Sequence, residues 1–80
     1  MALRFIGIDP NTDGDHCPTV WVDDQTSEIV IQGWKADPDL VEQARAAGPL
    51  PETEAVVRLP ARMAQIIREA ADAADAAAVQ

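Results

Sequence analysis

Cysteine, histidine and positive charge are all scarce in this 80-residue chain, and each shortage closes off a class of chemistry. Cys17 is the only cysteine, which excludes an internal disulfide and leaves no thiolate cluster for zinc. His16 is the only histidine, which excludes a His-rich metal site, and no serine–histidine–aspartate set is recognisable around it. Six Lys and Arg stand against fourteen Asp and Glu, a net charge of −8. DNA and anionic membranes attract cationic surfaces, so direct binding to nucleic acid or membrane is not expected. No apolar run is long enough to span a bilayer. The run within MALRFIGIDP is also too short for a signal peptide, so a cytoplasmic location is the expectation. There is no glycine-rich phosphate loop and no internal repeat. The chain is therefore read as non-enzymatic, with no cofactor and no metal.

The remaining composition describes one small acidic domain. A chain of this length buries roughly 60% of its unfolded surface and is marginal by itself. Fifteen alanines inflate the 48% hydrophobic fraction, leaving material for one thin core. Self-association would be a natural supplement. The acidity suits a partner with a basic face, and it equally serves simple solubility.

The stretch from Thr19 to Lys35 organises the rest. TVWVD and EIVIQGWK are two β-rich runs around the polar break DQTS, the pattern of an antiparallel hairpin. Side chains alternate along a strand. If residues 23 and 28 pair, Val20, Val22, Ile29 and Ile31 share one face. Trp21, Val30 and Trp34 then share the other. The aliphatic face suits a packed helix. The tryptophan face is either an interface, since Trp is a favoured anchor and exposed apolar patches mark interaction sites, or it is covered by the N-terminal strand or the middle helix.

Around this hairpin, ALRFIGI (residues 2 to 8) reads as a strand, with Phe5, Ile6 and Ile8 as its bulk and Gly7 marking a bulge. Asp9-Pro10 ends it. In the loop that follows, Asp9, Asn11, Asp13 and Gly14 fall at positions 1, 3, 5 and 6 of a calcium loop. The position that needs a bidentate Glu holds Val20, and Asx turns account for the same residues without metal. His16 and Cys17 read as a surface histidine beside a half-buried thiol.

Downstream, Asp37-Pro38 opens a short helix with Leu40, Val41 and Ala44 as its stripe, and Gly48-Pro49 stops it. Residues 50 to 54 link it to a strand, AVVRL (55 to 59). Pro60 then opens the strongest helix, where Met63, Ile66, Ile67, Ala70 and Ala74 follow the i, i+3, i+4, i+7 rule. Arg62 and Arg68 are read as solvated. Residues 71 to 80 read as an alanine-rich helical tail with little to bury, expected to fray. The fold class is α+β: one domain over residues 1 to 70, with an antiparallel sheet of three to four strands packed on the C-terminal helix and a short middle helix.

The phrases IGIDP, CPTVWVD, IVIQGWK and EAVVRLPARM, spread over residues 3 to 69, resemble small acidic actinobacterial regulatory proteins. These are the BldB-like proteins and the partners of WhiJ-like regulators, encoded beside helix-turn-helix regulators. The resemblance implies a non-enzymatic partner of a DNA-binding regulator, self-associating as a dimer, in development or a toxin–antitoxin-like pair. It transfers no functional residues. The leading expectation is an interaction module that uses Trp21, Val30 and Trp34, bound to a helix-turn-helix regulator or to a second copy. The alternative, from a different class, is a small ion-binding protein built on the Asp9–Asp15 loop.

Overall fold

The computed structural model describes residues 2–11 and 17–78 and is α+β. Three antiparallel strands form the main sheet: β1 (Leu3–Ile8), β2 (Thr19–Asp23) and β3 (Glu28–Gln32), with β2 in the centre. Asp23 pairs with Glu28, Val22 with Ile29, Trp21 with Val30 and Val20 with Ile31, the hairpin register expected from alternation.

The connecting turn contains no glycine, and Asp23 holds it. Its Oδ1 accepts from the backbone N–H of Gln25 at 2.9 Å and of Thr26 at 3.3 Å, while Ser27 N–H donates to the Asp23 carbonyl at 2.8 Å. Ser27 adopts the left-handed conformation, φ 62°. A short polar side chain tolerates that region far better than a β-branched one would.

Gly7 marks a bulge in β1. Phe5 pairs with Trp21 and Gly7 with Val20, which leaves Ile6 as the extra residue. Ile6 packs against the core. A Cβ on Gly7 would sit 3.0 Å from Cγ1, Cγ2 and Cδ1 of Ile66, so the missing side chain lets the C-terminal helix approach β1 closely.

That helix begins as a 3-10 turn, Ala61–Met63, after extended Pro60, and continues as α2 (Ala64–Ala78). Met63 and Ala70 are completely buried against Val20 and Val22, and Ile66, Ile67, Ala73 and Ala74 flank them. The apolar stripe therefore meets the aliphatic face of the sheet. It covers that face unevenly: Val20 and Val22 are sealed, whereas Ile29 and Ile31 on β3 are each 42% exposed. α2 also runs on to Ala78, with Ala73 and Ala74 packed on the core, where the sequence suggested little left to bury after Ala70.

The remaining elements form a second unit of structure. β4 (Trp34–Lys35) pairs antiparallel with β5 (Val57–Arg58) in a separate two-stranded sheet. The strand expected over 55 to 59 is thus shorter and does not extend the hairpin. Gly33 separates β3 from β4, and a Cβ there would lie 2.7 Å from the Arg58 carbonyl oxygen. Between these strands lies α1 (Pro38–Ala44), capped by Asp37, whose Oδ1 accepts from Leu40 N–H at 2.8 Å. It continues as a 3-10 turn, Arg45–Ala47. α1 fully buries none of its residues, and Leu40 and Val41 are half-buried.

Two stability outcomes follow from this packing. Met63→Ala removes the largest sealed side chain and should cost ~2–5 kcal/mol in urea unfolding. Gly7→Ala should cost ~1–3 kcal/mol by crowding Ile66. In an Ile66→Ala background the crowding atoms are gone, so the same glycine change should cost little. A cycle with no coupling between the two sites would contradict this contact.

Candidate functional site

The helix-free face of the sheet collects large apolar side chains. Directly paired residues share a face, so Phe5 joins Trp21, Val30 lies on Trp21's other flank, and Leu3 and Ile8 continue the row beside Asp23 and Thr19. Phe5 is 58% exposed, Leu3 45% and Ile8 40%, while Trp21 and Val30 are half-buried. The N-terminal strand therefore does not cover this face; it extends it.

The electrostatics of the face are one-sided. Asp23 and Glu28 are cross-strand partners at its turn end. Glu28 Oε1 accepts from the Thr26 hydroxyl at 2.8 Å, and the Asp23 carboxylate is occupied by the turn. Arg4, the one cation of these three strands, pairs with Val22 and so points to the helix-covered side. The result is an apolar centre with an acidic end.

Of the three tryptophan-face residues expected from sequence, the structure brings Trp21 and Val30 together as cross-strand partners. Trp34 instead belongs to β4, where the Arg58 guanidinium lies 5.6 Å from its ring centroid and its indole nitrogen is buried. Gly33 separates β4 from β3, and β4 pairs with β5 instead of continuing the three-stranded sheet.

A second cluster lies where β1 ends. The Asp9 carboxylate is sealed from solvent and receives both Nε and Nη2 of Arg62, each at 2.6 Å, in a fork-on-fork pair. Hydrogen bonding to Asp9 holds the Arg62 guanidinium in its charged form more firmly than usual. The expectation that Arg62 is merely solvated is thereby corrected. Its side chain is half in water, but its head is a fixed partner of Asp9. Nothing local in the sequence signals this pair, because its members are 53 residues apart.

Asp9 also makes the Asx turn, its Oδ1 accepting from Asn11 N–H at 3.0 Å, and its own N–H donates to the Pro18 carbonyl at 2.9 Å. The Cys17 carbonyl accepts from the Thr19 hydroxyl and from Gln32 Nε2, both at 2.8 Å. The loop is thus tied at its base to β2, β3 and the start of the C-terminal helix. Asp13, Gly14, Asp15 and His16 lie outside the described residues. Among the described residues no three His, Cys, Asp or Glu side chains cluster as metal ligands, and no helix is long and apolar enough to cross a membrane.

An open cleft of about 280 Å³ lies between the end of α1 and Val56, lined by Ala44, Arg45, Gly48, Pro49 and Leu50. Its wall is mostly apolar and Arg45 is its only charged group, so it offers little to orient a ligand.

Two measurements bear on the Asp9 corner. Arg62→Ala strands a sealed carboxylate, whereas Asp9→Asn leaves a guanidinium that can turn to water. Arg62→Ala should therefore lower the urea midpoint more than Asp9→Asn does, and the reverse order would refute the pairing's role. Because Arg62 already occupies both Asp9 oxygens, calcium should bind no tighter than about millimolar, the weak end for such loops. Saturable Asp9 and Asn11 amide shifts at micromolar calcium would show otherwise.

No protein-family model, curated protein or solved structure matches the chain.

Proposed function

We propose that this chain is a non-enzymatic protein–protein interaction module that docks a partner on the helix-free sheet face. One observation carries the reading: Phe5, Leu3 and Ile8 stand exposed in a row beside Trp21 and Val30, with no helix laid over them. Aromatic side chains are enriched at the centres of interfaces, with Trp a favoured anchor. A contiguous apolar patch of this kind in a small protein marks an interaction site.

Charge narrows the partner. The face is acidic at its turn end and the whole chain carries −8, so a partner with an apolar strip and basic flanks fits best. A helix-turn-helix regulator, the partner that the resemblance in IGIDP, CPTVWVD and EAVVRLPARM implies, has such basic surface. Nucleic acid itself is repelled by the same charge, and so is an anionic membrane. The ion-binding alternative gains no support from Asp9, whose carboxylate is already committed to Arg62.

The test is co-purification from the native cell followed by calorimetry with the protein recovered. Trp21→Ser and Phe5→Ser should each weaken that association by more than ~1 kcal/mol. Circular dichroism should remain that of the wild type, because Val20, Val22, Met63 and Ala70 are untouched. Val57→Ser, at an exposed apolar residue of the second sheet, serves as the control and should bind normally. If Val57→Ser abolishes binding and the two face variants do not, the docking surface lies elsewhere.

A further inference from the structure

The geometry points to a second association surface, distinct from the sheet face: the free edge of β3, which pairs with β3 of a second copy to form a continuous six-stranded sheet. The main sheet has two edges. β1 is blunted by the bulge at Ile6 and Gly7, a device that spoils an edge as a pairing template. β3 has no such protection. It is five residues, EIVIQ, paired in unbroken register with β2 on one side, and it contains no proline, no lysine and no bulge. Four of its five residues are exposed. In an antiparallel ladder one alternate set of backbone N–H and C=O groups bonds to the neighbour, and the other set faces the open edge.

A second copy fits that edge for reasons of register and charge. Two β3 strands related by a two-fold axis pair all five residues in only one register, the one centred on Val30. Ile29 then faces the partner's Ile31 on the helix-covered side, where each is 42% exposed because α2 lies mainly over β2. Val30 faces its own symmetry mate on the other side, next to Trp21. Glu28 faces the partner's Gln32. The acidic residue of the strand therefore meets an amide, and no like charges oppose one another along the seam. The two α2 helices lie on the same face, with the four isoleucines filling the valley between them.

The seam is short and each copy carries −8, so the dimer is weak and strengthens with salt. Sedimentation equilibrium of the intact chain over a dilution series, at low and high salt, reads it directly. The wild type should show a reversible monomer–dimer equilibrium. Ile31→Lys, the charge that natural edges use to block pairing, should weaken the dimer by roughly tenfold or more with an unchanged circular dichroism spectrum. Gln32→Lys exchanges the amide that donates to the Cys17 carbonyl for an ammonium that faces the partner's Glu28, and should tighten the dimer, a gain that fades at high salt. If Ile31→Lys fails to fold, the exposed Gln32 position still carries the test. A wild type that is monomeric up to its solubility limit overturns the edge pairing and leaves the sheet-face reading untouched. A dimer lost in Phe5→Ser but indifferent to Ile31→Lys and Gln32→Lys also overturns it, by placing the seam on the sheet face.

Discussion

The packing of Met63 and Ala70 onto Val20 and Val22 is the constraint from which the rest of the structure follows. These four form the buried core cluster of the described residues, and all lie between one helix and the central strand. A helix is about 10 Å wide and neighbouring strands are about 4.8 Å apart, so a single helix cannot seal three strands equally. α2 seals β2, reaches β1 through the gap that Gly7 leaves, and only half covers Ile29 and Ile31. A larger side chain at residue 7 would lift the helix from the sheet and thin this core further.

The Asp9–Arg62 pair works on the same assembly from its end. Burying a carboxylate is costly unless it is paired and hydrogen-bonded, and Asp9 has two guanidinium contacts and the Asn11 amide. Because Arg62 sits in the 3-10 turn that starts the helix, the pair ties the exit of β1 to the helix entry. Bidentate geometry sets direction as well as distance, so the pair helps to orient the helix start over the sheet. Such pairs are weak sources of net stability and better sources of specificity.

On the reading proposed above, what the helix cannot cover is what the chain offers a partner. One sheet face has no helix, and it carries the only phenylalanine together with Trp21. One sheet edge has neither a bulge nor a cation. A heterologous basic partner on the face and a second copy on the edge do not exclude one another, since the two surfaces share only Glu28, Val30 and Gln32 of β3. A dimer would then present two partner faces side by side on one continuous sheet, which suits a target that is itself two-fold symmetric.

Much of the fold was legible in the residues because its signals are local. The alternation in TVWVD and EIVIQ sets the hairpin register, Asp37-Pro38 caps α1, and the Met63, Ile66, Ile67, Ala70 spacing marks the helix face that meets the sheet. The Trp21–Val30 pairing belongs to the same class, since it lies within one hairpin. Three features depended on contacts between distant segments. Trp34 lies in a separate two-stranded sheet because β4 pairs with residues 57 and 58, and the close approach that requires Gly33 comes from that far strand. Arg62 is a partner rather than a solvated cation because Asp9, 53 residues away, ends a strand beside it. The exposure of Ile29 and Ile31 follows from where α2 comes to rest over β2. Periodicity states which side chains share a face, but only the tertiary arrangement determines how much of that face a single helix can cover.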